Sequence, residues 1–209
     1  MDNDRYTRGV VEKQGTPSAR DRLLDAAADL FYARGIAATG VDAVLKRAGA
    51  SPTTLYAHFG GKDDLVAAYL ERRHGRWRRA WDETLERAEQ PLDRMLSVFD
   101  ALALHRRREG SSRGCAVLAA AAEVVGPGHP ARTWIERDTT LLTERLSGIA
   151  EETGADRPEE LAAAMLLIYD GVLASYARIA VHGGGGRDPL AEGRKLAEQV
   201  IRLHLRPAH

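Results

Sequence analysis

The side chains of this sequence that are best suited to bind another molecule lie in residues 51–58, a run of small polar and aromatic residues. If this run forms a helix of about 3.6 residues per turn, Leu55 and Phe59 point inward together, whereas Thr53 and Ala57 point outward. A threonine hydroxyl can bond to a base edge or a phosphate, and an alanine methyl can contact a thymine methyl. Such a face is small and polar enough for the major groove of DNA, which is about 12 Å wide.

Further donors flank this outer face. Thr54 is also expected to be exposed, and Tyr56 and His58 lie on either side of the inward stripe, where a helix in the groove passes the sugar-phosphate backbone. Both side chains can donate to phosphate oxygen. Lys62 opens the next predicted helix, so its ammonium and the free N–H groups of that helix suit another phosphate.

Two short helices are needed to position these groups. Apolar spacing predicts one helix over residues 41–48 and a second over residues 52–59. The turn between them contains Gly49 and ends at Ser51, a good N-cap, and Pro52 occupies the favoured first helical position. The pattern predicts a helix-turn-helix, although a helical hairpin inside an all-helical core has the same spacing.

The rest of the chain also reads as helix, because alanine, leucine, arginine and glutamate dominate and no alternating pattern occurs. The predicted fold is all-α, with about nine helices. Residues 1–17 lack periodicity and are predicted to be a disordered arm. The first helix covers residues 18–34. The later helices are predicted at residues 62–90, 91–108, 114–125, 130–153, 158–182 and 188–205.

Composition excludes several classes of protein. The chain has 209 residues, 44% of them hydrophobic, and its 30 basic and 30 acidic side chains cancel. A single cysteine, Cys115, cannot form a disulfide within the chain, and a lone cysteine is more often a small buried residue than a sensor. No signal peptide is evident. The longest apolar runs, at residues 114–122 and 161–169, are shorter than the ~20 residues that span a bilayer. We therefore expect a cytoplasmic protein without a membrane segment.

Residues 18–70 resemble the DNA-binding region of the TetR/AcrR family of regulators. The matching strings are LLDAAADLFYARGIAATGVDAVLKRAGAS and PTTLYAHFGGKDDLVAAYL. The resemblance implies that the second helix begins near phosphate at Thr39 and Gly40, and that Lys62 anchors the following helix. It also implies which side chains form the DNA-facing part, namely Ser51, Thr53, Thr54, Tyr56 and His58.

Two residues depart from the family pattern. Gly40 stands where the family usually has threonine or serine, so a hydroxyl contact to phosphate is lost, although glycine is an acceptable N-cap. Asp42 is an acid at a place that often carries a basic or polar residue. These departures leave room for an alternative function, a helical scaffold or interaction protein without sequence-specific DNA binding.

For the C-terminal part, residues 65–209, the resemblance implies a helical bundle with a ligand cavity, whose last two helices pair in a homodimer. Asp170 and Glu123 are acids within apolar helices, so each should pair with an arginine or a helix end, or contact a ligand or the partner subunit. Large apolar residues are candidates for the cavity wall, although each could equally belong to an ordinary core: Trp81, Met95, Phe99, Leu102, Leu118, Trp134, Met165, Tyr169 and Tyr176.

The predicted function is a regulator whose DNA-binding domain, residues 18–64, binds a palindromic operator in double-stranded DNA as a homodimer. A small-molecule effector is expected to release it, and repression is preferred over activation. Ser175, Asp170 and His182 have the residue types of a catalytic triad, but no nucleophile elbow accompanies them, so we expect no enzyme. No metal-ligand spacing occurs among the seven histidines, and no cofactor is expected.

Overall fold

The computed structural model describes residues 17–110, 114–124, 126–182 and 186–205. In these ranges the chain forms nine α-helices and no strand, which confirms the predicted all-α fold. The predicted disordered arm lies outside the described residues, apart from Pro17. The helices are α1 (Ala19–Arg34), α2 (Val41–Ala48), α3 (Pro52–His58), α4 (Lys62–Glu86), α5 (Pro91–Glu109), α6 (Ala116–Glu123), α7 (Arg132–Glu152), α8 (Pro158–His182) and α9 (Pro189–His204).

The helix ends follow from local chemistry. Ser18 and Ser51 are N-caps whose hydroxyl oxygens accept hydrogen bonds from backbone N–H groups three residues ahead, both at 3.1 Å. Gly49 ends α2 in the left-handed conformation, with φ +60°, which favours glycine. Helix α3 ends one residue earlier than predicted, because Phe59 takes an extended backbone and turns its ring into the core.

The helices enclose two hydrophobic clusters. The first, which we call the head cluster, contains residues of α1, α2 and α3 together with Leu65, Val66, Tyr69 and Leu70 of α4. The second, the bundle cluster, joins α5, α7, α8 and α9. Because Trp77 and Trp81 belong to the bundle cluster, α4 passes from one cluster into the other without a break.

Helix α6 packs with the head cluster, which its position in the sequence does not indicate. Ala116, Val117 and Ala120 are buried there, with Val124 just after the helix. At its N-terminal end, Gly114 lies so close to α8 that an added Cβ would be 2.8 Å from the carbonyl oxygen of Leu173. The head cluster is therefore not formed by one continuous stretch of the chain, since α6, from the C-terminal part, completes it.

Helices α8 and α9 pack closely against each other. A Cβ on Gly193 would overlap the side chain of Val172, so only glycine permits this approach. By length and composition alone, α8 is long and apolar enough to cross a membrane, a test that core helices of soluble proteins also pass. One side of α8 is buried in the bundle cluster, whereas Leu167 on another side is 73% exposed.

Aromatic rings fill the centre of the bundle cluster. The ring of Trp77 lies 5.7 Å from those of Trp81 and Tyr169 and 5.8 Å from that of His105, measured between centroids. The indole N–H of Trp81 donates to Ser97 Oγ at 3.0 Å. Burial, reinforced by the nearby Arg73, lowers the pKa of His105 to about 4. His105 is therefore neutral at pH 7.

This buried histidine predicts a loss of stability in mild acid. Between pH 6.5 and 4 the unfolded chain protonates His105 and the folded chain does not, so the free energy of unfolding should fall by about 2–3 kcal/mol as the pH is lowered. We expect His105→Gln, which cannot titrate, to lose that much less stability than the wild type between pH 7 and 4.5 in urea titrations. An equal loss in both proteins would contradict the assignment.

Candidate nucleic-acid interface and cavity

Helix α3 presents the polar face that the helical wheel predicts. Leu55 is fully buried and Phe59 nearly so, whereas Thr53 and His58 are exposed and Tyr56 is 64% exposed. The predicted burial of Leu55 and Phe59 and the predicted exposure of Thr53 are confirmed, whereas Thr54 is half-buried. The phenol of Tyr56, the imidazole of His58 and the hydroxyl of Thr53 are thus all accessible on one short helix.

Ser51 and Thr54 are partly occupied within the protein. The Ser51 hydroxyl accepts from the Thr54 N–H at 3.1 Å and lies 2.8 Å from the Thr54 hydroxyl oxygen. Both side chains were predicted to face DNA. In the structure they fix the first turn of α3.

The start of α2 differs from what the resemblance implies. The side chain of Thr39 is 1% exposed, and its hydroxyl donates to the carbonyl oxygen of Gly35 at 2.7 Å. Thr39 therefore braces the loop between α1 and α2, and its hydroxyl is used within the protein. Gly40 is exposed as the N-cap but has no side chain to contribute, and Asp42 is exposed in the first turn.

The start of α4 is also less open to phosphate than the sequence suggests. Lys62 Nζ donates to the carbonyl oxygen of Ala37 at 3.5 Å. Asp63 and Asp64 occupy the first turn, and a carboxylate oxygen of Asp64 accepts from the N–H of Gly60 at 2.9 Å. Carboxylates already occupy this end of the helix, so its N–H groups are less available to a phosphate. Lys62 would act on a phosphate mainly through its charge.

The charges around α3 are described by its own residues and its neighbours. Helix α3 carries no acidic residue in its first turn. Two acids of α1 are ion-paired with arginines, Asp25 with Arg72 and Asp29 with Arg47, both at 2.8 Å. Sequence analysis missed Arg20, whose guanidinium lies 5.4 Å from the centre of the Phe59 ring. This tertiary contact brings an exposed cation from α1 to the end of α3.

A separate small cavity of about 30 Å³ lies where α4, α5, α6, α7 and α8 meet. It has room for only one or two water molecules. Its wall contains Arg73, Trp77, Leu102, His105, Arg106, Gly114, Cys115, Val117, Asp138, Tyr169 and Leu173.

Only Leu102 and Tyr169 of the nine predicted cavity residues line this space. Four others are completely buried in the bundle cluster, where they pack as ordinary core: Trp81, Met95, Phe99 and Met165. Leu118 is 49% exposed in a cleft between α1 and α6. Trp134 packs beside His74, and Tyr176 lies under Arg106 and donates to Asp188 at 2.6 Å.

The polar residues of the wall were not predicted from the sequence. Trp77 and His105 are buried, and Asp138 Oδ1 lies 3.3 Å from His74 Nδ1. Arg73 is one of several arginines within residues 72–79 of α4. A charge-rich stretch in α4 and single residues in α5 and α7 carry no signal that they meet until the helices pack.

The two acids in apolar helices behave differently. Glu123, at the end of α6, accepts a hydrogen bond from the N–H of Ala37 at 2.5 Å, so it pairs with the backbone just after α1. Asp170 is half-buried on α8, where burial raises its pKa, and it forms no ion pair within the described ranges. The Ser175 hydroxyl donates to the carbonyl of Gly171 at 2.8 Å, within its own helix and away from any base.

Comparison with known proteins agrees with this arrangement. The pattern of the family described as "Bacterial regulatory proteins, tetR family" matches residues 23–69. An HTH-type transcriptional regulator of Mycobacterium tuberculosis is 30% identical over 167 residues, 70% of this chain and 82% of the relative. The repressor ComR of Escherichia coli is 30% identical over 115 residues, 54% of this chain and 55% of that one.

A solved structure extends the likeness to the whole fold. The TetR-family transcriptional regulator SCO4454 of Streptomyces coelicolor superposes with a TM-score of 0.78 at 26% identity, covering 90% of this chain and 96% of that chain. Proteins of this kind regulate transcription and are not enzymes. With its helix-turn-helix head joined to a helical bundle through α4, this chain belongs to the TetR family of transcriptional regulators.

Proposed function

We propose that the protein is a cytoplasmic, ligand-responsive repressor that binds a palindromic operator as a homodimer and is released by a small-molecule effector. The observation that carries the proposal is the outer face of α3, where Thr53, Tyr56 and His58 are exposed and the opposite face is anchored by Leu55 and Phe59. Direct base contact is assigned to Thr53 and phosphate contact to Tyr56 and His58. Lys62 and Arg20 add positive charge beside them.

A homodimer is supported by the apolar surface that α8 and α9 expose. Leu167, Leu196 and Leu203 are 73%, 50% and 84% exposed, and a groove between the two helices is lined by residues that include Gly171 and Leu196. A second copy would cover these side chains by packing the same face against them. Two copies of α3 about 34 Å apart could then read two half-sites of a palindrome.

Release by an effector is supported by the course of α4. One half of this helix is packed in the head cluster, and the other half forms the wall of the cavity through Arg73 and Trp77. A ligand that favours a different position of α4 would change the separation of the two heads, so that both no longer fit successive grooves. Helix α6 provides a second link, since Val117 lines the cavity and Glu123 contacts the loop after α1.

The alternative is a scaffold protein that has lost sequence-specific DNA binding, which the exposed Asp42 and the missing hydroxyl at Gly40 favour. Repression is the preferred direction because relatives such as ComR are named repressors. The relative FasR of Mycolicibacterium smegmatis is named an activator. The position of the operator in its promoter decides between repression and activation.

The first test is selection of random duplex DNA on the purified protein. We expect a palindrome with half-sites centred about one helical turn apart. Thr53→Ala should then change the preferred base at one position of each half-site by ~1–3 kcal/mol. Thr140→Ala, an exposed threonine on α7, is the matched control and should leave the preference unchanged. A uniform loss of affinity for all sites in Thr53→Ala would contradict direct readout, and no enrichment by the wild type would favour the scaffold.

The second test concerns the dimer. Leu167→Arg places a charge within the proposed interface, where its burial is costly, and should convert the protein to monomers in analytical ultracentrifugation. Leu118→Arg is the control, because Leu118 is also an exposed leucine but lies on α6 and does not line the groove between α8 and α9. A dimer that survives Leu167→Arg would show that another surface joins the subunits.

The third test concerns the link between α6 and the head. Glu123→Ala removes the acceptor of the Ala37 N–H, so that amide should exchange with solvent about tenfold faster and operator binding should weaken. Glu123→Gln keeps an oxygen acceptor and should show a smaller effect in both measurements. Unchanged exchange at Ala37 in Glu123→Ala would mean that the carboxylate does not hold this loop.

A further inference from the structure

We propose that the cavity binds a small organic carboxylate with a flat apolar body, whose carboxylate is held by the indole N–H of Trp77 and the guanidinium of Arg73. The proposal names the chemical class of the effector and rests on the proposed function. It follows from the wall of the cavity, which contains a buried donor without an acceptor, an excess of guanidinium charge and closely spaced aromatic rings.

The unsatisfied donor is the indole nitrogen of Trp77. Its side chain is 5% exposed, and its N–H is buried without a hydrogen-bond partner. The neighbouring indole of Trp81, in contrast, donates to Ser97. An unpaired buried N–H is costly, and indole can only donate. A ligand that pairs with it must therefore present an acceptor atom.

The charge of the wall selects among acceptors. On the same helix, Arg72 and Arg76 form ion pairs with Asp25 and Glu109. Arg73 forms no ion pair with a carboxylate in the described part of the chain, and its guanidinium lies over the ring of Tyr32, 5.2 Å from its centre.

The other charged groups of the wall leave a positive balance. Arg106 also lines the cavity, with its guanidinium 3.4 Å from the centre of the Tyr176 ring. Among the described residues of the wall, Asp138, 3.3 Å from His74, is the one carboxylate. His105 adds no charge at neutral pH, because burial holds its pKa near 4. Arg73 is thus a guanidinium of this wall without a carboxylate partner in the described part of the chain, which favours an anionic acceptor over a neutral or cationic ligand.

The remaining wall determines the body of the ligand. The rings of Trp77 and Tyr169 are 5.7 Å apart at an angle of 37°, and Leu102, Val117 and Leu173 complete an apolar lining. Aromatic and aliphatic walls with a few polar groups are typical of sites for small apolar ligands. A flat ring that carries a carboxylate matches both parts of this lining.

The small volume of the cavity connects binding to release. At about 30 Å³ the space is smaller than any aromatic acid, so a ligand can enter only if the walls separate. Two of the helices that form these walls, α4 and α6, also pack in the head cluster. Occupation of the cavity therefore favours an arrangement in which the head has moved relative to the bundle.

The proposal can be tested with three probes of one shape and different charge: benzoate, benzamide and benzamidine. Each is titrated into the ¹⁵N-labelled full-length protein, and the three indole N–H resonances are followed. We expect benzoate to bind at least about tenfold more tightly than benzamide, and benzamidine to bind most weakly. The Trp77 resonance should move on binding, whereas that of Trp81 stays near its free position.

Variants locate the contact. Trp77→Phe keeps an aromatic ring without the N–H, and Arg73→Met keeps the aliphatic stem without the charge. Each should weaken benzoate binding about tenfold or more. Arg79→Met is the matched control, since Arg79 is exposed on the same helix and does not line the cavity, and it should bind benzoate as the wild type does.

Equal or tighter binding of benzamidine, a Trp77 resonance that does not move, or no binding of any probe at millimolar concentration would each overturn the proposal. So would full affinity for benzoate in Arg73→Met, a variant that tests the site even if Trp77→Phe does not fold. Operator selection is independent of these titrations. A protein that selects a palindrome but ignores benzoate would refute the ligand class alone, whereas failure of the selection would refute the regulator.

Discussion

The arrangement of this protein depends on one continuous helix that is buried twice. Helix α4 places Leu65, Val66 and Leu70 in the head cluster and, two turns later, Trp77 and Trp81 in the bundle cluster. A helix is stiff along its axis because every backbone N–H is bonded four residues back. Both clusters therefore pack on the same helix, which joins the wall at Trp77 to the head cluster.

Helix α6 adds a second connection between the head cluster and the cavity, made by contacts between separate helices. Its apolar residues complete the head cluster, its first residues meet α8 at Gly114, and its last residue accepts the N–H of Ala37. Lys62 donates to the carbonyl oxygen of that same Ala37. The peptide at Ala37, after α1, is thus bonded by Lys62 of α4 and by Glu123 of α6. Both α4 and α6 are among the helices that line the cavity.

The two sites of the molecule use polar groups in opposite ways. On α3 the polar side chains are exposed and lie on a rigid apolar base, as recognition of a hydrated, charged surface requires. In the cavity the polar groups are buried, where an unpaired donor or charge costs far more than it does in water. In the proposed function, operator binding would therefore rely on many weak contacts, whereas effector binding would depend on satisfying a few buried groups.

The helices and their amphipathic faces follow from the amino-acid sequence alone, and contacts between helices do not. The wheel places Leu55 and Phe59 inside and Thr53 outside, and the caps at Ser18 and Ser51 fix helix starts, because periodicity and capping are local properties. Local pattern therefore predicts the helix-turn-helix itself. It predicts neither the packing of α6 against it nor the buried hydroxyl of Thr39 and the approach of Arg20. In the bundle, nothing in the spacing of Arg73, Trp77, His105 and Asp138 indicates that three different helices bring them to one cavity, while larger residues expected there, such as Trp81 and Met165, fill the core. Apolar side chains in a cavity wall and in a packed core have the same composition and periodicity. The distinction depends on how closely neighbouring helices approach, and that distance is set by the packing of the whole bundle.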